Sequence, residues 1–194
     1  MENYQFECGQ YLAVIDAFKK HIPLSIASIP TDLPYLRIVF RPERNNPDSM
    51  LLDQLVQQKS IEISHPKGRV RYPRNHHQLL LIVKGTGISQ ALAIIDHSKA
   101  IRSTKDIKLL WVNNEGSIIS RYQHFDSWLS QVDSMIFNDN DLSVWLKQNR
   151  SSINNANCIL TGDPEFVYLT KKQLANNQIF LNSLQSDVFE YSPL

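Results

Sequence analysis

Four short segments carry the residues of this chain most able to do chemistry. The first is Val83-Lys84-Gly85-Thr86-Gly87-Ile88-Ser89, where a run of five apolar residues, Leu79 to Val83, gives way to a helical pattern. Ligands of open α/β sheets bind beyond the C-terminal ends of strands, where helix N-termini present unpaired backbone N–H groups. Glycines at such a junction let the backbone approach a phosphate or a flat ring. The pattern is not a full G-x-G-x-x-G, so by itself it is as consistent with a tight turn as with a binding loop. The second segment, Leu160-Thr161-Gly162-Asp163-Pro164-Glu165-Phe166, also follows an apolar run, and Pro164 suits the first turn of a helix. Taken alone it reads as a well-capped turn. The third is His21-Ile22-Pro23-Leu24-Ser25-Ile26-Ala27-Ser28, preceded by Gly9-Gln10-Tyr11-Leu12. The fourth is Ser186-Asp187-Val188-Phe189-Glu190-Tyr191, whose aromatics can serve either a core or a lid over a planar ligand.

The elements that would position these segments change character near residue 73. Before it, Tyr11–Ile15, Leu36–Phe40 and the alternating Ile61–Ser64 read as β-strands separated by Pro-bearing turns. Ser49 is placed to cap a helix with Leu51, Leu52, Leu55 and Val56 on one face. After Pro73 the rhythm is strand, loop, helix. Leu79–Val83 has the continuous apolar character of a strand buried on both faces of a parallel sheet. A helix from about Ser89 to Ala100, strand Ile107–Val112, a helical stretch around His124–Gln131, strand Ser134–Phe137, helix Asp141–Asn149, strand Cys158–Thr161 and helix Glu165–Asn176 follow. Alternation of this kind predicts a doubly wound α/β sheet. The expected organisation is a small antiparallel β-domain over residues 1–73 and an α/β domain over 74–194.

Composition narrows the function. The 194 residues include 42% hydrophobic and 20% charged side chains, with 20 basic against 19 acidic and a net charge of +1. That balance argues against a dedicated nucleic-acid binder, and the basic run Lys67-Gly68-Arg69-Val70-Arg71 reads as exposed strand-end charge. No apolar run is long enough to cross a bilayer, and the sequence MENYQFECGQ lacks the basic and apolar regions of a secretory signal, so a cytoplasmic location is expected. Cys8 and Cys158 are expected to be reduced and buried. His76-His77 has no third ligand at a convincing spacing, so no metal site is expected. No C-x-x-C and no G-x-S-x-G is present. Trp128 and Trp145 read as core anchors.

In order and spacing, G-Q-Y-L, P-L-S-x-A-S, K-G-T-G-I-S-x-A, T-G-D-P-E and S-D-x-F resemble the NAD(P)H:flavin oxidoreductases of the ferredoxin–NADP reductase superfamily, over about Phe6 to Tyr191. The resemblance implies an antiparallel flavin-binding barrel followed by a nucleotide-binding α/β domain, with hydride passing from NAD(P)H to riboflavin, FMN or FAD between them. It implies that Pro23, Leu24 and Ser25 line the flavin, with the Ser25 hydroxyl and backbone facing its ring. Gly85, Thr86 and Gly87 would face the nicotinamide and pyrophosphate, and Gly162, Asp163, Pro164 and Glu165 the nicotinamide and its ribose. Phe189 would close over the flavin, and Ser25 with Thr86 would stand nearest the reacting atoms. Such chemistry needs alignment and shielding rather than an acid–base pair.

The departures from the family pattern carry their own implications. The family's barrel begins with further strands before G-Q-Y, which implies here a barrel left incomplete, or completed by a second copy or a protein partner at an open edge. Ile22 stands where the family has an arginine for the flavin phosphate or ribityl chain, which implies loose flavin binding. Lys84 replaces a glycine. Trp111-Val112-Asn113-Asn114-Glu115 lacks the basic residue common in NADPH users, which tilts the reading to NADH with Asn113 or Asn114 on the ribose. Two functional readings therefore stand: a working flavin reductase, and a degenerate relative that keeps the fold for binding or assembly.

Overall fold

The computed structural model describes residues 4–41, 46–113, 128–130, 132–138 and 141–192. Its first sheet is antiparallel, with strands β1 (Tyr11–Ile15), β2 (His21–Ser25) and β3 (Glu62–Ile63) in the order β2-β1-β3. β1 and β2 form a hairpin in register Tyr11↔Ser25 and Val14↔Ile22. The buried Asp16 closes its turn: Oδ1 accepts from the backbone N–H of Phe18 (2.8 Å) and Lys20 (2.7 Å). Leu12, Val14, Ile22 and Ile26 pack beneath helix α1 (Pro47–Leu55), which contributes Leu52 and Leu55.

Two expectations fail in this region. Asn46, not Ser49, caps α1, accepting from the N–H of Asp48 and Ser49. Ser49 is buried inside the helix, and its hydroxyl donates to the Arg41 carbonyl at 2.6 Å. Pro47 directly after Asn46 is the signal that locates the true cap. The strand expected at Leu36–Phe40 reduces to one bridge, Ile26↔Ile38. Its amides are met by side chains instead: Ser28 Oγ accepts from Arg37 N (3.1 Å) and Ser89 Oγ from Val39 N (3.3 Å). Backbone groups satisfied by hydroxyls need no ladder.

The second sheet is parallel throughout. Strands β4 (Leu79–Lys84), β5 (Ile107–Val112), β6 (Asp133–Phe137), β7 (Asn157–Thr161) and β8 (Ser183–Gln185) lie in the order β6-β5-β4-β7-β8. Of these five, β4 comes first in the chain and sits in the middle, the doubly wound arrangement. Its side chains divide between two cores. Leu79, Leu81 and Val83 meet helix α2 (Ile88–Ala100) on one face. Leu80 and Ile82 meet helices α3 (Asp141–Gln148) and α5 (Pro164–Asn176) on the other, with the short α4 (Arg150–Ile153) beside them. The helix expected around His124–Gln131 lies mostly outside the described residues; Trp128 is buried and donates to Asp96 at 2.9 Å. Strand β8 and the terminal helix α6 (Val188–Tyr191) were not anticipated. Both cysteines are buried and unpaired.

Helix α2 is buried on nearly every side because it serves both sheets. Beyond its face on the parallel sheet, Asp96 pairs with Arg37 (3.3 Å), and Gln90 Nε2 donates to the Gly9 carbonyl at 2.6 Å. The chain after β3 returns along β1 through paired bonds between Tyr11 and Lys67. It is then tied to the C-terminal segment, with Arg69 N donating to Glu190 and Arg71 N to Gln185.

Candidate functional site

Because β4, β5 and β7 run in one direction and in register, Lys84↔Val112 and Val83↔Thr161, their C-terminal ends are level. The residues that follow them, Gly85, Asn113 and Gly162, are thereby brought together. Across from them stand the end of β2 and the C-terminal segment. The space enclosed is a cleft of about 500 Å³.

The parallel-sheet wall is held closely. The Trp111 indole donates to the Gly85 carbonyl at 3.1 Å, and Thr161 Oγ1 to the Gly87 carbonyl at 3.4 Å. A Cβ at Gly87 would lie 2.8 Å from Thr161 Oγ1 and 2.9 Å from the Thr161 carbonyl, so this glycine permits the two loops to meet. Gly85 is different. It adopts φ +54°, and a Cβ there would meet no other atom within 4 Å. Helix α2, just beyond, has no side-chain cap at its N-terminus, whereas Asp163 caps α5 by accepting from Phe166 N at 2.8 Å. Lys84 reaches across the cleft mouth to Asp163 (3.5 Å).

The opposite wall comprises Pro23, Leu24 and Ser25 of β2 with Tyr11 of β1, and Val39 and Arg41 from the loop that follows. The floor between the walls is Gln90 and the segment Ser186–Val188. Gln90 Nε2 donates to Asp187 Oδ2 at 2.7 Å as well as to Gly9. Burial pushes the Asp187 carboxyl up to about 7; the Gln90 hydrogen bond opposes the shift and the neighbouring Glu190 adds to it. Tyr191 stands edge-on to Tyr11 at 6.4 Å between ring centres.

Among the described residues, three buried side-chain polar atoms have no hydrogen-bond partner: Gln90 Oε1, Asn113 Nδ2 and Asp187 Oδ1. All three belong to residues lining this cleft. Buried polar atoms are almost always paired, so such a concentration marks a place built for a ligand.

Of the residues expected from sequence, Pro23, Leu24, Ser25, Gly85, Thr86, Gly87, Asn113, Gly162 and Asp163 line the cleft. Pro164 and Glu165 lie outside it, on the exposed first turn of α5. Phe189 also lies outside: it packs on Tyr168 at 5.8 Å, against the sheet core, with Lys171 over its ring. Ile22 points into the core of the first sheet. Asn114 falls outside the described residues. Sequence reading passed over Tyr11, Arg41, Gln90 and Asp187 as site residues, and offered Tyr191 only as one of two aromatics for core or lid. Gln90 left a signal, since Ser89-Gln90 is a polar pair inside an apolar helix.

No protein-family model matches the chain. A probable flavin reductase of Vibrio harveyi is 26% identical over 114 residues, covering 56% of this chain and 48% of that protein. A probable metalloreductase of Candida tropicalis is 32% identical over 92 residues, 46% of this chain and 15% of that protein. The matched region is thus about half of the first relative's length and a small part of the second's. A ferredoxin NADP+ reductase of Neisseria gonorrhoeae, solved with bound FAD and NADP, superposes with a TM-score of 0.73 at 16% identity, covering 96% of this chain and 89% of that one.

This is the ferredoxin reductase fold. In its terms, the three-stranded sheet corresponds to the fold's antiparallel β-domain and the five-stranded parallel sheet to its α/β domain. No helix among the described residues is long and apolar enough to cross a membrane.

Proposed function

We propose that this chain is an NAD(P)H-dependent flavin oxidoreductase, with a β-domain over residues 1–73 that takes the flavin and an α/β domain over 74–194 that takes the nicotinamide nucleotide. The observation that carries the reading is that three residues with unpaired polar atoms, Gln90, Asn113 and Asp187, line one cleft. Gln90 Oε1 is an acceptor, suited to the imide N–H of a flavin or the amide N–H of a nicotinamide. Asn113 Nδ2 is a donor, suited to a ribose oxygen. The uncapped N-terminus of α2 and the open space at Gly85 suit a pyrophosphate. A flavin bound there supplies a two-electron acceptor, and Ser25 and Thr86 stand on opposite walls where the two rings would meet. The Vibrio harveyi relative and the Neisseria gonorrhoeae structure, by their names, support the pairing of flavin with pyridine nucleotide.

Hydride transfer leaves the acceptor short of one proton. Asp187, buried beside the cleft with a carboxyl poised near neutrality, is the group able to deliver it. Ile22, turned into the sheet core, offers no donor to a flavin phosphate, which leaves Arg41 as the cation of this wall and a loosely held flavin as the reading. The sequence Trp111-Val112-Asn113-Asn114-Glu115 holds no basic residue, which favours NADH. Tyr191, not Phe189, presents the terminal aromatic to the site.

The test is NADH and NADPH oxidation by the purified protein with riboflavin and FMN supplied in turn. Flavin-dependent consumption above the uncatalysed rate, faster with NADH, is the expected result. A folded protein that consumes neither nucleotide would overturn the catalytic reading and leave the degenerate, binding-only relative.

A further inference from the structure

A second cavity, of about 1070 Å³, opens at the other end of the parallel sheet. The cleft lies beyond the C-terminal ends of the strands. The second cavity is walled by the segments leading into β4 and β5, near Tyr72–His76 and Ile101–Asp106, and by Phe6–Cys8. With six residues in β4, the two openings stand about 20 Å apart.

Four cations line this cavity, Arg71, Arg74, Arg102 and Lys105, against the carboxylates of Glu7 and Asp106. Both carboxylates are engaged: Glu7 pairs with Arg71, and Asp106 accepts from Gln78. Lys105 donates to the carbonyls of Asn75 and His77, and burial lowers its pKa. The side chains of Arg74 and Arg102 make no hydrogen bond or ion pair among the described residues. The cavity therefore holds two uncommitted guanidinium groups, the side chain best matched to phosphate.

Arg102 carries a second mark. It follows α2 at φ +51°, with its N–H on Lys99 O and that of Ser103 on Ser98 O, both 2.9 Å. This is the helix-ending motif in which glycine is the unstrained residue. The arginine at this position lines the cavity, whereas Gln178, which ends α5 by the same motif, does not. Tyr72 and His97 also line the cavity, edge to face at 5.3 Å, with Lys105 over the Tyr72 ring at 5.7 Å.

We propose that this cavity binds a small phosphorylated molecule bearing a flat ring, of the mononucleotide class, with Arg74 and Arg102 on the phosphate and the ring against Tyr72 and His97. The site is separate from the cleft and bridges the same two parts of the chain from behind.

The experiment is a titration of the ¹⁵N-labelled full chain with ADP, and separately with inorganic phosphate, followed by amide shifts. ADP is expected to move amides near Tyr72, His97 and Ser103 saturably, and to bind there more tightly than phosphate. Arg102→Gly, which relieves the backbone, and Arg74→Gln, at an exposed position, are each expected to weaken that binding about tenfold. Shifts at Gly85–Gly87 report any ADP entering the cleft and should be unchanged in both variants. No saturable shift at this end of the sheet, or undiminished binding by both variants, would overturn the proposal. Phosphate binding as tightly as ADP would overturn the ring contact.

Discussion

The cleft wall built from β4, β5 and β7 takes its order from its own strands. Every residue of β7, and all but the last of β4, is buried, and the ladder alone brings Gly85, Asn113 and Gly162 level. The wall carrying β2 takes its order from elsewhere. Its sheet has three short strands, and the segments beside it are tied down by Ser89, Gln90, Gln185 and Glu190, all from the other half of the chain. The difference teaches that one wall is a rigid platform, whereas the other keeps its place through a few buried polar links. Disturbance should therefore be local on the first wall and transmitted on the second.

The largest expected effect is on the rigid wall. Gly87→Ala forces a methyl group against the Thr161 backbone, which should cost about 2–3 kcal/mol and lower the denaturant midpoint. If stability is unchanged, the loops on this wall are not packed as described. Next, Gln90→Ala removes two bonds of one buried amide and should cost about 2 kcal/mol. Amide exchange should quicken in β1 and β2 far more than in β4; equal change in both would dissolve the contrast between the walls.

Asp187→Asn sharpens the comparison through pH. The folded carboxyl titrates near 7 against a usual value of 3.8, so its contribution to stability is fully present below about pH 4 and is lost as pH rises towards 7. The native protein should lose on the order of a few kcal/mol over that window, and the variant should lose less. Melting curves at pH 5 and pH 8 check the sign. Smaller again is Ser25→Ala, at a half-buried side chain: flavin reduction should fall about tenfold with the melting temperature unmoved. Unchanged kinetics would remove Ser25 from the site.

The same contrast explains what the sequence disclosed. Leu79–Val83 matches its strand to within one residue because a strand buried on both faces is a continuous apolar run, and Ile107–Val112 matches to the residue although Lys108 interrupts its run. Leu36–Phe40, apolar but for Arg37, makes only a single bridge, since serine hydroxyls from Ser28 and Ser89 reach its amides. That outcome depends on a residue fifty positions away and leaves no local trace. Ser183–Gln185 is too short and too polar to show any periodicity, yet pairs with β7. In the site, the glycine loops were readable from their place after apolar runs. Asp187 and Tyr191 lay within a segment already singled out, but choosing them over Phe189 required knowing which way the short helix α6 turns.

The central claim is that the cleft's open space at Gly85 belongs to a nucleotide. Asparagine tolerates the left-handed backbone that Gly85 adopts, and its side chain would meet no protein atom at Cβ. The deciding measurement is NADH binding and flavin-dependent NADH oxidation by Gly85→Asn beside the native protein. Gly85→Asn is expected to leave the melting temperature unchanged and to reduce NADH affinity and turnover at least tenfold each. Native affinity and turnover in a stably folded Gly85→Asn protein would contradict it.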